Sequence, residues 1–260
     1  MLMKLLRRWR GHPRRAKRDM PDPAPDAPVY VIGDIHGRVE LLDRLIARID
    51  TDAGGSAVIV LVGDYVDRGE DSAGVLARLR ALEAERPDRI ICLFGNHERM
   101  MLEFLDDPAG AGRRWLRNGG LQTLMSFDAA PAGMAVAESI GADDRARLAE
   151  ALRAHLPDGL ESWLRARPLT WQSGNVAVTH AGADPALTLD SQPETALIWG
   201  HRAFPDTPRA DDLWIVHGHT IVDAPVLEPG RICVDTGAVF TGRLTAAALA
   251  PGAPVRFLTS

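Results

Sequence analysis

A chain of 260 residues that is 46% hydrophobic and 25% charged can bury a sizeable core as one large domain, and it contains no apolar run of the roughly eighteen residues that a membrane-spanning helix needs. Its two cysteines, Cys92 and Cys233, lie in apolar strand-like runs and read as packed thiols in a reducing compartment, the cytoplasm, rather than as a disulfide. The net charge of −5 hides an asymmetry: residues 1–28 hold Lys4, Arg7, Arg8, Arg10, Arg14, Arg15, Lys17 and Arg18 against three aspartates, so an acidic body carries −10 and offers no broad surface for nucleic acid.

Residues 1–28 read as a basic, proline-rich, disordered leader ahead of a single catalytic domain over 29–260. Their Arg/Lys cluster with Trp9 also suits weak contact with an anionic membrane surface. From Val29 onward strands and helices alternate. Val29–Ile32 runs into Gly33-Asp34-Ile35-His36-Gly37, and the apolar Ala57–Val62 into Gly63-Asp64-Tyr65-Val66-Asp67-Arg68-Gly69. Arg89–Phe94 then runs into Gly95-Asn96-His97-Glu98. Between them, Val39–Ile49 has apolar residues at helical spacing, and Asp71-Ser72 can cap a helix through Leu82 that Pro87 stops. This alternation predicts a sheet with parallel pairs covered by helices.

A helical insertion is expected over about residues 100–168, broken near Asp107-Pro108 and at Asn118-Gly119-Gly120. The pattern then turns to strands at Val176–Thr179, Leu213–Val216, Ile232–Val234 and Leu244–Leu249, which predicts a second sheet. Two of these strands end in His180-Ala181-Gly182 and His217-Gly218-His219-Thr220.

The strand ends together supply Asp34, His36, Asp64, Asn96, His180 and His219: carboxylate, imidazole and amide ligands without a thiolate. That set suits borderline-to-hard divalent ions and argues against a cysteine-built zinc site. Six ligands exceed what one catalytic ion needs and fit a two-metal site, in which two ions share a carboxylate, activate water and neutralise a phosphoryl group.

The three glycine-flanked motifs in this order, together with His180-Ala181-Gly182, Gly218-His219-Thr220, Trp115–Gly120 and Asp235–Phe240, resemble the phosphoprotein-phosphatase branch of the calcineurin-like metallophosphoesterases. Within that branch, the bacterial and phage-lambda-type serine/threonine phosphatases are the nearest in pattern. The resemblance covers roughly residues 29–249 and implies an α/β fold in which two mixed β-sheets pack as a sandwich flanked by helices, with a dinuclear metal site at the strand ends. It further implies two divalent ions, manganese first with iron or zinc as alternatives. Asp34 and His36 hold one ion, Asp64 bridges, and Asn96, His180 and His219 complete the other. Water activated by both ions attacks phosphorus in line, without a phosphoenzyme. His97 is implied as the general acid, Asp67 as the group that fixes its tautomer, and Arg68 as the phosphate clamp, with Asn96 also meeting the substrate.

One position departs from the family. The second phosphate-binding arginine, expected two residues after Trp199, is replaced by His201, and Arg202 is the expected substitute. The resemblance implies hydrolysis of phosphoserine or phosphothreonine in proteins, with smaller phosphoesters also accepted. The alternative is a symmetrical diadenosine tetraphosphate hydrolase, disfavoured by His36 where that relative carries glutamine. A catalytically dead scaffold is disfavoured because Asp64 and His97 are both present. The oligomeric state is not legible in these residues.

Overall fold

The computed structural model describes residues 20–130 and 140–260. The basic cluster from Lys4 to Arg18, Trp9 and His12 therefore lie outside the described residues, as does the 131–139 part of the expected helical insertion.

Strand chemistry explains the layering. In β1 (Val29–Ile32), β2 (Val58–Leu61) and β3 (Ile90–Cys92), successive side chains point to opposite faces, and both faces are apolar. Val29, Val31, Val60 and Val62 join one core cluster, whereas Tyr30, Ile32, Ile59 and Leu61 join another. The first cluster lies between two sheets and the second beneath helices. β1, β2 and β3 pair in parallel, and β9 (Thr245–Leu249) and β10 (Arg256–Thr259) extend the sheet antiparallel, in the order β10-β9-β1-β2-β3.

The second sheet has the order β4-β5-β6-β8-β7, built from β4 (Thr170–Ser173), β5 (Val176–Thr179), β6 (Trp214–His217), β7 (Val226–Glu228) and β8 (Arg231–Cys233). Its β5, β6 and β8 are mutually parallel. Val176, Val178, Val216, Ile232 and Val234 face the valines of the first sheet across the sandwich. Two mixed sheets packed face to face thus form the fold, and each contributes three parallel strand ends.

Helices cover the outer face of the first sheet. α1 (Val39–Ala53) buries Leu41, Leu42, Leu45, Ile46 and Ile49 and stops at Gly54 in the left-handed region. α2 (Ser72–Glu85) is capped by Asp71, whose carboxylate accepts from Gly74 N at 2.7 Å. The segment expected to be helical holds α3 (Asn96–Asp106), α4 (Gly112–Trp115), a π-helical turn (Leu116–Gly120), α5 (Leu121–Ser126), α6 (Ala142–His155) and α7 (Leu160–Arg165).

The proline-rich stretch expected to be disordered behaves otherwise from residue 20. Pro23 and Pro25 are buried, Ala24 N donates to Asn175 Oδ1 at 2.6 Å, and Trp214 Nε1 donates to Pro21 O at 2.8 Å. The stretch is a strap tied to the second sheet, because the β4–β5 turn offers side-chain partners to a segment that has few backbone donors of its own.

Candidate metal centre

Six strand ends converge on one edge of the sandwich. β1, β2 and β3 deliver Asp34, Asp64 and Asn96, while β5, β6 and β8 deliver His180, His219 and Asp235. The sheets meet here through side chains: Asp34 accepts from His219 N at 3.1 and 3.0 Å, and the Asn96 Oδ1 lies 2.8 Å from both His180 Nε2 and His219 Nδ1. Asp64 sits in the middle. Its Oδ2 is 3.6 Å from His36 Nε2, and its Oδ1 is 3.4 Å from His180 Nε2. Two groups, His36-Asp64-His97 and Asp64-His180-His219, have ligand atoms close enough to share an ion, and Asp64 belongs to both.

The backbone is bent hard to achieve this. His36, Asp64, Asp67, Arg68 and His219 all have left-handed φ, between 46° and 72°, a conformation that costs a non-glycine residue on the order of 1 kcal/mol or more. Glu98 braces the turn. Its buried carboxylate accepts from Asp64 N and Tyr65 N at 2.8 Å and from Gly95 N at 3.0 Å, tying the second and third motifs together. The close approach of loops requires glycine at Gly69, where a Cβ would lie 1.9 Å from His36 O.

Whether divalent cations fit can be tested on the donor atoms. Both nitrogens of His180 face oxygens, Nδ1 toward Val62 O at 3.1 Å and Nε2 toward Asn96 Oδ1. A neutral imidazole can donate to only one of them, and burial pushes His180 below the ordinary histidine range. One lone pair therefore confronts an oxygen, which a cation between them resolves. His36 differs: Nδ1 is 2.7 Å from Val66 O, which as donor leaves the Nε2 lone pair on the side of Asp64, 3.6 Å away, where the Arg68 guanidinium also reaches it. Burial, then His97, pushes His36 down, and burial with His180 pushes His219 down to about 3.

Carboxylates are in excess. Asp34, Asp64, Asp67, Glu98 and Asp235 are all buried together. Burial and the neighbouring Asp235 push Asp34 well above the usual range, and burial, opposed by the Gly237 N–H, pushes Asp235 up to about 6. Burial also acts to raise Asp64, but the imidazoles of His180, His97 and His36 outweigh it and hold it low. Such a concentration of buried negative charge calls for cations. The residues present fit two divalent ions.

Beside this cluster stands a histidine–carboxylate pair. His97 Nδ1 lies 2.6 Å from Asp67 Oδ2, both groups are buried, and His97 Nε2 faces Asp64 Oδ2 at 3.8 Å. Burial acts to lower His97, yet Asp64 and the Asp67 contact overcome it and raise it. Two residues without an assigned role in the sequence hold Asp67 in turn: Trp115 Nε1 is 3.0 Å from both carboxylate oxygens, and Thr123 Oγ1 donates to Oδ1 at 2.7 Å. The motif Trp115–Gly120 was the available signal, although nothing in it specified the partner. Asp235 likewise stood in a matched motif without a role.

Arg68 Nη1 donates to His36 Nε2 at 2.9 Å, so its guanidinium reaches the cluster. Arg202 is exposed, and His201 lies 3.7 Å from Asp184 Oδ2. His155 is exposed and His217 is buried before the His219 turn.

Comparison with known proteins agrees with this geometry. Over 226 residues the chain is 31% identical to serine/threonine-protein phosphatase 1 of Salmonella typhimurium, covering 84% of this chain and 90% of the relative. It is 27% identical to an asymmetrical bis(5'-nucleosyl)-tetraphosphatase of Oceanobacillus iheyensis, covering 84% and 87% respectively. The solved structure of a protein serine/threonine phosphatase from Saccharomyces cerevisiae superimposes with a TM-score of 0.58 at 17% identity, over 90% of this chain and 80% of that one. The profile described as Calcineurin-like phosphoesterase matches residues 27–223, and the chain belongs to that family of hydrolases.

Proposed function

We propose that the chain is a dinuclear-metal phosphomonoesterase acting on phosphoserine and phosphothreonine in proteins, with manganese as the preferred ion. The observation that carries this reading is the buried, oriented His97–Asp67 pair beside the ligand cluster. A serine or threonine alkoxide is a poor leaving group and must be protonated as it departs, whereas a nucleotide leaving through phosphate needs far less help. The relative with 31% identity carries a serine/threonine phosphatase name, in agreement. The two buried thiols, Cys92 and Cys233, suit a reducing compartment such as the cytoplasm.

Asp34 and His36 on one side, Asn96, His180 and His219 on the other, with Asp64 shared, are the residues that hold the ions. Two divalent ions supply Lewis-acid chemistry, lowering the pKa of water and neutralising phosphoryl oxygens. Arg68 presents its planar fork to the phosphate, with the Asn96 amide alongside. Asp67 keeps the His97 Nδ1 proton in place, so that the Nε2 proton is the one delivered to the leaving oxygen. Arg202, one residue beyond His201, is the remaining candidate for a second phosphate contact.

A second reading, hydrolysis of a dinucleoside tetraphosphate, has the support of the 27% identical relative. The deciding experiment compares kcat/KM of manganese-loaded protein on a phosphothreonine peptide and on diadenosine tetraphosphate, with Asp64→Asn as the metal-site control. The peptide is expected to be preferred and Asp64→Asn to be inactive on both. Preference for the dinucleotide overturns the protein-phosphatase reading while leaving the metal and acid assignments intact.

A further inference from the structure

Trp199, the last residue of α8 (Glu194–Trp199), lies edge-to-face with His219 at 6.5 Å between ring centroids. Over the Trp199 ring sits the Arg114 guanidinium, its Cζ 4.0 Å from the centroid. Arg114 belongs to α4, immediately before Trp115, whose indole is fixed on Asp67. Its backbone is thereby anchored to the acid–base pair on one side, and its side chain to the wall of the metal centre on the other.

Three other arginines of the helical segment and its flank are paired with carboxylates. Arg99 pairs with Glu194, Arg165 with Asp106 and Glu161, and Arg167 with Glu83. Arg114 is exposed, and among the described residues its guanidinium meets no carboxylate or carbonyl, only the indole. An arginine held over an aromatic face keeps its charge and its in-plane N–H donors, which remain directed outward. A positioned cation without an anion, on the rim of a site that handles phosphate, is an unfilled recognition element. His201, which stands where a second phosphate-binding arginine was expected, lies 3.7 Å from Asp184 Oδ2.

We propose that Arg114, held over Trp199, is an anion subsite that takes a second negatively charged group of the substrate, flanking the phosphoryl group under attack. Two ring contacts separate it from the ligand cluster, so it serves a neighbouring group rather than the reacting one. The proposal builds on the phosphoesterase reading of the centre and adds a preference within it. The second anion comes from an acidic residue beside a phosphorylated one or from a further phosphate in a polyphosphate chain; both offer oxygens to the same fork.

The test uses the full manganese-loaded chain, wild type, Arg114→Ala and Arg114→Lys, and four substrates: a phosphothreonine peptide flanked by glutamate, the same peptide flanked by glutamine, diadenosine tetraphosphate and para-nitrophenyl phosphate. In Arg114→Ala the glutamate-over-glutamine ratio of kcat/KM is expected to fall about tenfold, mainly through KM, and Arg114→Lys is expected to restore part of it. If that ratio holds while the dinucleotide loses ground to para-nitrophenyl phosphate, the subsite stands with phosphate as its ligand; the protein-phosphatase reading is decided separately, by the wild-type preference between peptide and dinucleotide. An equal loss on all four substrates, or no loss on any, overturns the subsite.

Discussion

His97 can act as an acid only if its ring is held, and the holding passes through Asp67 to Trp115 and Thr123. His97→Asn is expected to slow turnover of an alkyl phosphate by about 10²–10⁴. Thr123→Val removes one donor to Asp67 without changing shape, and should lower kcat on the same substrate roughly tenfold while affecting para-nitrophenyl phosphate much less, because its leaving group needs less protonation. A uniform loss across both substrates would mean a packing defect instead. The Asp34–Asp235 neighbourhood makes a different prediction, one for metal-free protein. A carboxyl raised in the folded state is stabilising while protonated and loses that contribution as pH rises from its unfolded value toward its folded one, here about 6 for Asp235. Asp235→Asn should therefore raise the Tm of chelated protein at pH 7 and leave it near wild type at pH 4. The residues of the cluster were legible from sequence because each lies within a few positions of the end of an apolar run, beside a glycine-containing turn. The Trp115 and Thr123 bonds were not, since they join Asp67 to partners 48 and 56 positions away that only the packed helices bring near.

Among the elements, the π-helical turn Leu116–Gly120 matters most to the site. Gly119 has φ 107°, its carbonyl accepts from Arg68 N at 3.3 Å, and a Cβ there would lie 2.5 Å from Arg68 N. Gly119→Ala is expected to displace Arg68 and cut kcat/KM by ten- to a hundredfold, about 1–3 kcal/mol for a forced left-handed residue, in a protein whose far-UV circular dichroism is unchanged. Element recognition from sequence followed burial. The strands with both faces covered, β1, β2, β5 and β6, announced themselves as apolar runs. β4, β7 and β10 did not, because each is an edge strand with polar or half-exposed residues, such as Thr170, Gln172, Glu228 and Arg256. The strap at residues 20–28 escaped for a related reason: its order comes from Ser173 and Asn175 at the β4–β5 turn and from Trp214 on β6, all far off in the chain, and proline-rich composition alone reads as disorder.

At the scale of the molecule, that strap closes one side of the second sheet. Deleting residues 1–27 removes the buried prolines and the bonds to Asn175 and Trp214, whereas deleting residues 1–19 spares them. The longer deletion should melt several degrees lower than the shorter one, about 5 °C for a loss near 2 kcal/mol in a domain of this size, as read by calorimetry; equal melting temperatures would mean that the strap contributes nothing. The sandwich also imposes a chronology. Asp34 and its partner His219 are 185 residues apart in the chain, a stretch that a ribosome takes on the order of ten to forty seconds to make. All three N-terminal motifs emerge long before either late histidine. A growing chain can therefore pair β1, β2 and β3 before the late histidines exist, but β9 and β10, which complete that sheet, follow His219, so the cluster and the first sheet are finished together.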